Sequence, residues 1–192
     1  MNSKIKKITL LASGNGSNVE NIIKFFDKNP MIEVVLVAGN KRDAKVFERV
    51  KQYKIDTFIF NKYNFNENFI DILDKYETDL IVLAGFLWKI PKSLINRYKN
   101  KIINIHPSLL PLYGGKGMYG MNVHKAVISN KEKKTGISIH EVNEDYDKGK
   151  IIFQAKILVL PEDTIESLAS RVQDLEKEHF PNIIKEFLLK IK

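Results

Sequence analysis

The chain is 192 residues long, 44% hydrophobic and 28% charged, which fits one globular domain over residues 1–192 and excludes a disordered chain. It contains no cysteine, so disulfide scaffolds, thiolate metal centres and cysteine nucleophiles are excluded, and a cytoplasmic location is expected. The net charge of +8 permits an anionic substrate, but the basic residues are 27 scattered lysines against 4 arginines, a poor footprint for nucleic acid.

Residues Ile5–Ala12 read as a first strand. No apolar run approaches the roughly 18–20 residues that span a membrane, so no membrane partner is expected. Ser13-Gly14-Asn15-Gly16-Ser17-Asn18 then turns the chain into a helix over Asn18–Asp27, with apolar residues Val19, Ile22, Ile23 and Phe26 at helical spacing. Glycines in such a turn let the backbone approach an anion at the positive end of the helix. The dinucleotide fingerprint is incomplete, because Val19 stands where its third glycine would be, and the Walker lysine is missing. A phosphate site of another type is the preferred reading, beside a plain turn capped by Ser17 or Asn18.

The apolar blocks Ile32–Ala38, Thr57–Phe60, Asp79–Ala84 and Ile102–Ile105 alternate with helical stretches at Ala44–Tyr53 and Glu67–Tyr76 and after Pro91. Buried strands separated by helices predict an α/β fold: a mostly parallel, doubly wound, Rossmann-like sheet with helices on both faces. Asn104 and His106 stand two apart at a strand end, so both side chains share one face where open α/β sheets bind ligands. An amide beside an imidazole suits the stabilisation of an oxyanion.

Beyond Pro107 a glycine-rich loop runs to Gly120, followed by a helix over Asn122–Ser129. Strands at Gly136–Val142 and Ile151–Leu158 make the sheet mixed at its C-terminal end. The polar loop between them carries Asp145 and Asp147, and a carboxylate there can orient a histidine. Asp163 or Thr164 caps a long final helix that Pro181 is expected to kink or split. No histidine pair has metal-site spacing, so no metal is expected. His124 reads as a surface or substrate-adjacent residue, and His140 as either a support for His106 or a satisfied core histidine.

Four segments, Gly14-Asn15-Gly16-Ser17-Asn18, Ala84-Gly85-Phe86, Asn104-Ile105-His106-Pro107-Ser108-Leu109-Leu110-Pro111 and Asp147-Lys148-Gly149, occur in that order. Together they resemble the phosphoribosylglycinamide formyltransferases of the formyltetrahydrofolate-dependent transferase superfamily, from Ile5 to about Phe187. The resemblance implies transfer of a formyl group from 10-formyltetrahydrofolate to the amine of 5-phosphoribosylglycinamide in de novo purine synthesis. It assigns catalysis to Asn104, His106 and Asp147, with Asn104 donating to the oxyanion and His106 kept protonated by Asp147. It also assigns the substrate phosphate to Gly16, Ser17 and Asn18, and the amino end of that substrate to Glu176. The folate pocket falls on Leu87, Trp88, Lys89 and Ile90 together with Asn104, and Trp88-Lys89 departs from the Met-Arg of many members. Lys116 is a candidate phosphate contact, Lys62 or Tyr63 the nearest position to the folate tail, and Leu110–Pro111 is expected to be cis. A monomer or homodimer is expected. Alternatives are a related formyl-folate hydrolase, a transferase acting on another amine, and a non-catalytic nucleotide-binding module.

Overall fold

A computed structural model describes residues 4–191. Seven strands form one sheet: β1 (Lys6–Ala12), β2 (Ile32–Gly39), β3 (Asp56–Ile59), β4 (Leu80–Leu83), β5 (Ile102–His106), β6 (Lys134–Glu141) and β7 (Ile151–Leu158). Their order is β3-β2-β1-β4-β5-β6-β7. The first five are parallel, and β6 and β7 run antiparallel. This is the doubly wound sheet with a mixed C-terminal end that the apolar blocks predict.

The strands are apolar on both faces because helices cover both. Ile8, Leu10, Val82, Ile103, Ile137 and Ile139 pack on one side, under α1 (Ser17–Phe26), α2 (Lys45–Val50) and α7 (Ile165–Lys190). Leu11, Leu36, Ile81, Leu83 and Ile102 pack on the other, against α3 (Lys62–Glu67), α4 (Phe69–Lys75) and α5 (Lys92–Arg97). Fully burying side chains of this size contributes about 1.5–3 kcal/mol each. α6 (Met121–Ser129) follows the glycine-rich loop.

Three sequence expectations change. The helix expected over Ala44–Tyr53 becomes α2 and a 3-10 turn, Lys51–Tyr53. The single helix expected over Glu67–Tyr76 is preceded by another, α3, because Asn61 caps it by accepting from the Asn64 N–H at 2.9 Å. Pro181 does not split the final helix, which runs unbroken over Ile165–Lys190. A proline here leaves the carbonyl four residues back, that of Lys177, without its helical donor. The Asn21 side chain of α1 supplies the missing donor, at 2.8 Å. That helix is capped as expected, by Thr164 with Ser167 in a reciprocal box.

The chain winds outward from β1 through β2 to β3, then returns to the other flank of β1 with β4. A crevice opens where such winding reverses, beyond the C-terminal strand ends. Across it the Ser13 N–H donates to the Gly85 carbonyl at 3.1 Å, and the Leu87 N–H donates to Ser13 Oγ at 3.0 Å.

Candidate active site

A cleft of about 670 Å³ lies at this reversal point, between the start of α1, the end of β5 and the inner face of α7. Its wall brings together Gly16, Ser17, Asn18, Asn104, His106 and Asp147, residues up to 131 positions apart from Gly16 to Asp147. Glu176, Leu87 and Lys116 line it as well.

At one end, Gly16 turns the chain into α1 with φ 77°, in the left-handed region. No side chain caps α1, so the plain capped turn is not what forms, and the N–H groups of its first turn stay available to an anion. Ser17 and Asn18 reach α7 instead: Gln173 donates to Ser17 Oγ at 2.9 Å, and Asn18 Nδ2 donates to Glu176 at 2.8 Å. α2 braces the turn from outside. The Val46 N–H donates to the Gly14 carbonyl at 3.1 Å, and Arg49 donates to Asn15 Oδ1 at 3.2 Å.

Arg49 also donates to Glu20 at 2.6 Å, and Tyr53 donates to the same carboxylate at 3.0 Å. With hydrogen bonds from Lys24 and Arg49 leading, these partners hold the Glu20 carboxyl down at about 2, from an ordinary 4.5. The folded state therefore binds fewer protons than the unfolded chain below pH 4.5, and the stabilisation is lost as pH falls through about 2. Glu20→Gln is expected to melt lower than the parent at pH 7, by about 2–4 °C if the network contributes about 1 kcal/mol. The gap should close as melts are recorded toward pH 2, and a gap independent of pH would refute the assignment.

At the other end, Asn104 and His106 face the cleft from β5, and Asp147 reaches them from the loop after β6 with φ 56°. Asp147 Oδ2 stands 3.5 Å from His106 Nδ1 and accepts the Gly115 N–H at 2.9 Å. His106 Nε2 lies 2.7 Å from the Tyr113 carbonyl, which can only accept, so that nitrogen carries a proton. Leu110–Pro111 is cis, as the resemblance implies.

The expectation that Asp147 keeps His106 protonated needs correction. Burial pushes the His106 imidazole below its ordinary value, and the carboxylate 3.5 Å away only partly offsets it. Proton uptake by His106 is therefore harder than for an ordinary imidazole. Asp147 itself is held below the usual carboxylate range: burial opposes ionisation, but His140, His106 and the Gly115 N–H together outweigh it.

The remaining residues also find places. His140 sits beside Asn104 rather than His106, because β5 and β6 pair Asn104 with His140 and His106 with Ser138. Glu176 is bonded to Asn18 at the α1 end of the cleft, and burial pushes its carboxyl up. No hydrogen bond links it to Asn104, His106 or Asp147, with which it shares the cleft wall. Of the expected folate segment, Leu87 lines the main cleft. Trp88, Lys89 and Ile90 line a smaller cavity of about 60 Å³, which also touches Asn104, His140 and Asp147. Trp88 packs against Phe60, Phe65 and Phe86, and Ile90 is core. Lys62 and Tyr63 are not among the residues lining either cavity.

His124 is buried on the cleft wall in the first turn of α6, with Nδ1 unpartnered, rather than a surface residue. His179 packs its ring on Phe153. Sequence reasoning missed Gln173, although its spacing of three from Glu176 puts both on one face of α7. It also missed Tyr146, which lines both cavities, and the Tyr113 and Gly115 backbone groups, for which the sequence holds no signal.

The arrangement pairs an anion-binding helix start with an amide, an imidazole and a carboxylate, the groups needed for acyl transfer. Comparison with known proteins agrees. The formyl transferase family matches residues 6–184. The chain is 40% identical over 182 residues to the chloroplastic phosphoribosylglycinamide formyltransferase of Arabidopsis thaliana, covering 91% of this chain and 62% of that protein. It is 38% identical over 191 residues to the phosphoribosylglycinamide formyltransferase of Bacillus subtilis, covering 96% and 95%. The crystal structure of phosphoribosylglycinamide formyltransferase from Anaplasma phagocytophilum superposes with a TM-score of 0.88 at 34% identity, covering 98% of this chain and 90% of that one. The chain thus spans less than two thirds of the plant relative and nearly all of the Bacillus one.

Proposed function

The chain belongs to the formyl transferase family, and from that premise we propose that it transfers a formyl group from 10-formyltetrahydrofolate to the amine of 5-phosphoribosylglycinamide, a step of de novo purine synthesis. Residues 1–192 are taken as one formyltransferase unit. One observation carries the reading: a single cleft joins an uncapped helix N-terminus, able to hold a phosphate, to the Asn104–His106–Asp147 group.

The residues divide the work along the cleft. Backbone N–H groups of Gly16, Ser17 and Asn18 hold the phosphate. Glu176 and Gln173, reaching Asn18 and Ser17 from α7, stand where ribose hydroxyls would follow. At the far end the substrate amine attacks the formyl carbon, so a C–N bond forms and the carbonyl oxygen gains negative charge. The His106 Nε2–H, now on the Tyr113 carbonyl, donates to that oxygen once the formyl group replaces the carbonyl as acceptor. Asp147, facing Nδ1, favours proton uptake by the same imidazole as charge develops. One proton leaves the attacking amine, and one reaches the departing folate nitrogen as its bond to carbon breaks.

The folate ring is assigned to the side lined by Leu87, Trp88, Lys89 and Ile90. The smaller cavity there holds only a few waters, less than a bicyclic ring needs. The test is a spectrophotometric assay of tetrahydrofolate release with and without 5-phosphoribosylglycinamide. Release that depends on the amine supports the transferase. Equal release without it would establish a hydrolase, and no release in either case would overturn formyl transfer altogether.

A further inference from the structure

Asn104 and His140 are a directly opposed pair across β5 and β6. His140 is 2% exposed, and its ring nitrogens have different partners. Nδ1 lies 2.8 Å from the Glu141 carbonyl, which only accepts, so Nδ1 carries a proton. Nε2 lies 3.1 Å from Asn104 Nδ2 and 3.5 Å from Asp147 Oδ1. In the neutral ring Nε2 is therefore a lone pair and accepts from the Asn104 amide. The second Asn104 amide proton has Asp147 Oδ1 within 3.5 Å. Both amide protons of Asn104 thus have acceptors within the protein, and its carbonyl oxygen accepts no hydrogen bond from the described residues. That atom can accept from an incoming amine, but it cannot donate to an oxyanion.

A proton on Nε2 reverses this. Both nitrogens of His140 then donate, and the 3.1 Å contact would set donor against donor. An amide is nearly symmetric in shape, so it relieves the conflict by turning over, with its oxygen toward His140 and its NH2 toward the cleft. We propose that His140 is a positioning residue that sets which side of the Asn104 amide faces the reacting carbon. Neutral His140 presents the carbonyl, and protonated His140 presents the NH2 that donates to the oxyanion. Asp147 stands 3.5 Å from both imidazoles. The other titratable groups around His140 are His106 beyond that carboxylate, and Lys89, Asp145 and Tyr146 around the smaller cavity. Glu141 contributes its backbone carbonyl.

The kinetic part of this inference rests on the formyl-transfer reading; the spectroscopic part does not. In 15N NMR of the wild-type protein, His140 should show the Nδ1–H tautomer at high pH, and the Asn104 side-chain NH2 signals should move with the same midpoint as His140. The opposite tautomer, or NH2 signals indifferent to that midpoint, would overturn the proposal. In kinetics, His140→Leu should lower kcat by about a hundredfold, the scale of one lost oxyanion donor, with little change in KM for the amine. His140→Gln, whose amide can meet either side of Asn104, should recover most of kcat while one ionisation disappears from the pH profile. An unchanged kcat in His140→Leu, or a pH profile unchanged in His140→Gln, would also overturn it. Absence of turnover by the wild type overturns the functional reading instead, and the NMR result then decides the His140–Asn104 coupling.

Discussion

Replacing Asp147 by asparagine is expected to lower kcat by about a hundredfold or more, the scale of losing a positioned acid–base partner, while the fold survives. The substitution is nearly isosteric, and asparagine tolerates the left-handed φ of 56° at this position as well as aspartate does. The amide oxygen can still accept the Gly115 N–H that ties the two loops together. What disappears is the negative charge 3.5 Å from both His106 Nδ1 and His140 Nε2. Burial already depresses His106, and the carboxylate is the largest influence working against it, so the variant imidazole is harder still to protonate. Steady-state kinetics at neutral pH, with a thermal melt of the same preparation, test this. A melting temperature close to the parent with kcat lost is the expected pair. Near-normal turnover would reduce Asp147 to a loop residue. Asp145 is a poor substitute, since its carboxylate is 63% exposed and pairs with Lys148 at 3.7 Å.

Strands buried on both faces announce themselves as unbroken apolar runs, so the sheet and its parallel part were legible in the sequence. Two residues on one strand end were legible too, because alternation alone puts Asn104 and His106 on one face. Their neighbours were not. That His140 stands against Asn104 follows from the antiparallel register of β5 and β6, which no local pattern encodes. The balance at His106 was misread because burial is a tertiary property: an adjacent carboxylate is visible as a motif, whereas the desolvation that outweighs it is not. Pro181 shows the same limit. A helix breaker is tolerated because Asn21, 160 positions away, donates to the carbonyl it strands.

Gly16 shows how a residue legible as a phosphate-loop glycine carries a second constraint. On sequence grounds Gly16→Val should weaken substrate binding, because the added bulk blocks the backbone from an anion. The structure adds a larger cost. A Cβ at Gly16 would lie 2.5 Å from Val46 Cγ2 and 2.7 Å from the Val46 Cα, so the crowding includes α2 backbone that is itself bonded to Gly14. The φ of 77° is strained for a β-branched residue besides. Strain and overpacking of this kind cost about 1–3 kcal/mol each, so a loss of about 3 kcal/mol is expected, or roughly 6–12 °C in melting temperature for a chain of this size. Gly14→Ala is the control, since a Cβ there meets nothing within 4 Å. It should melt within about 2 °C of the parent, the range of an unstrained surface change. Thermal melts of both variants, with KM for the phosphorylated amine measured below the transition, separate the two constraints. A Gly16→Val protein that melts like the parent yet binds substrate weakly would leave only the anion argument standing. One that melts low, with the Gly14→Ala control unaffected, establishes that α2 and the phosphate turn are packed as a single unit.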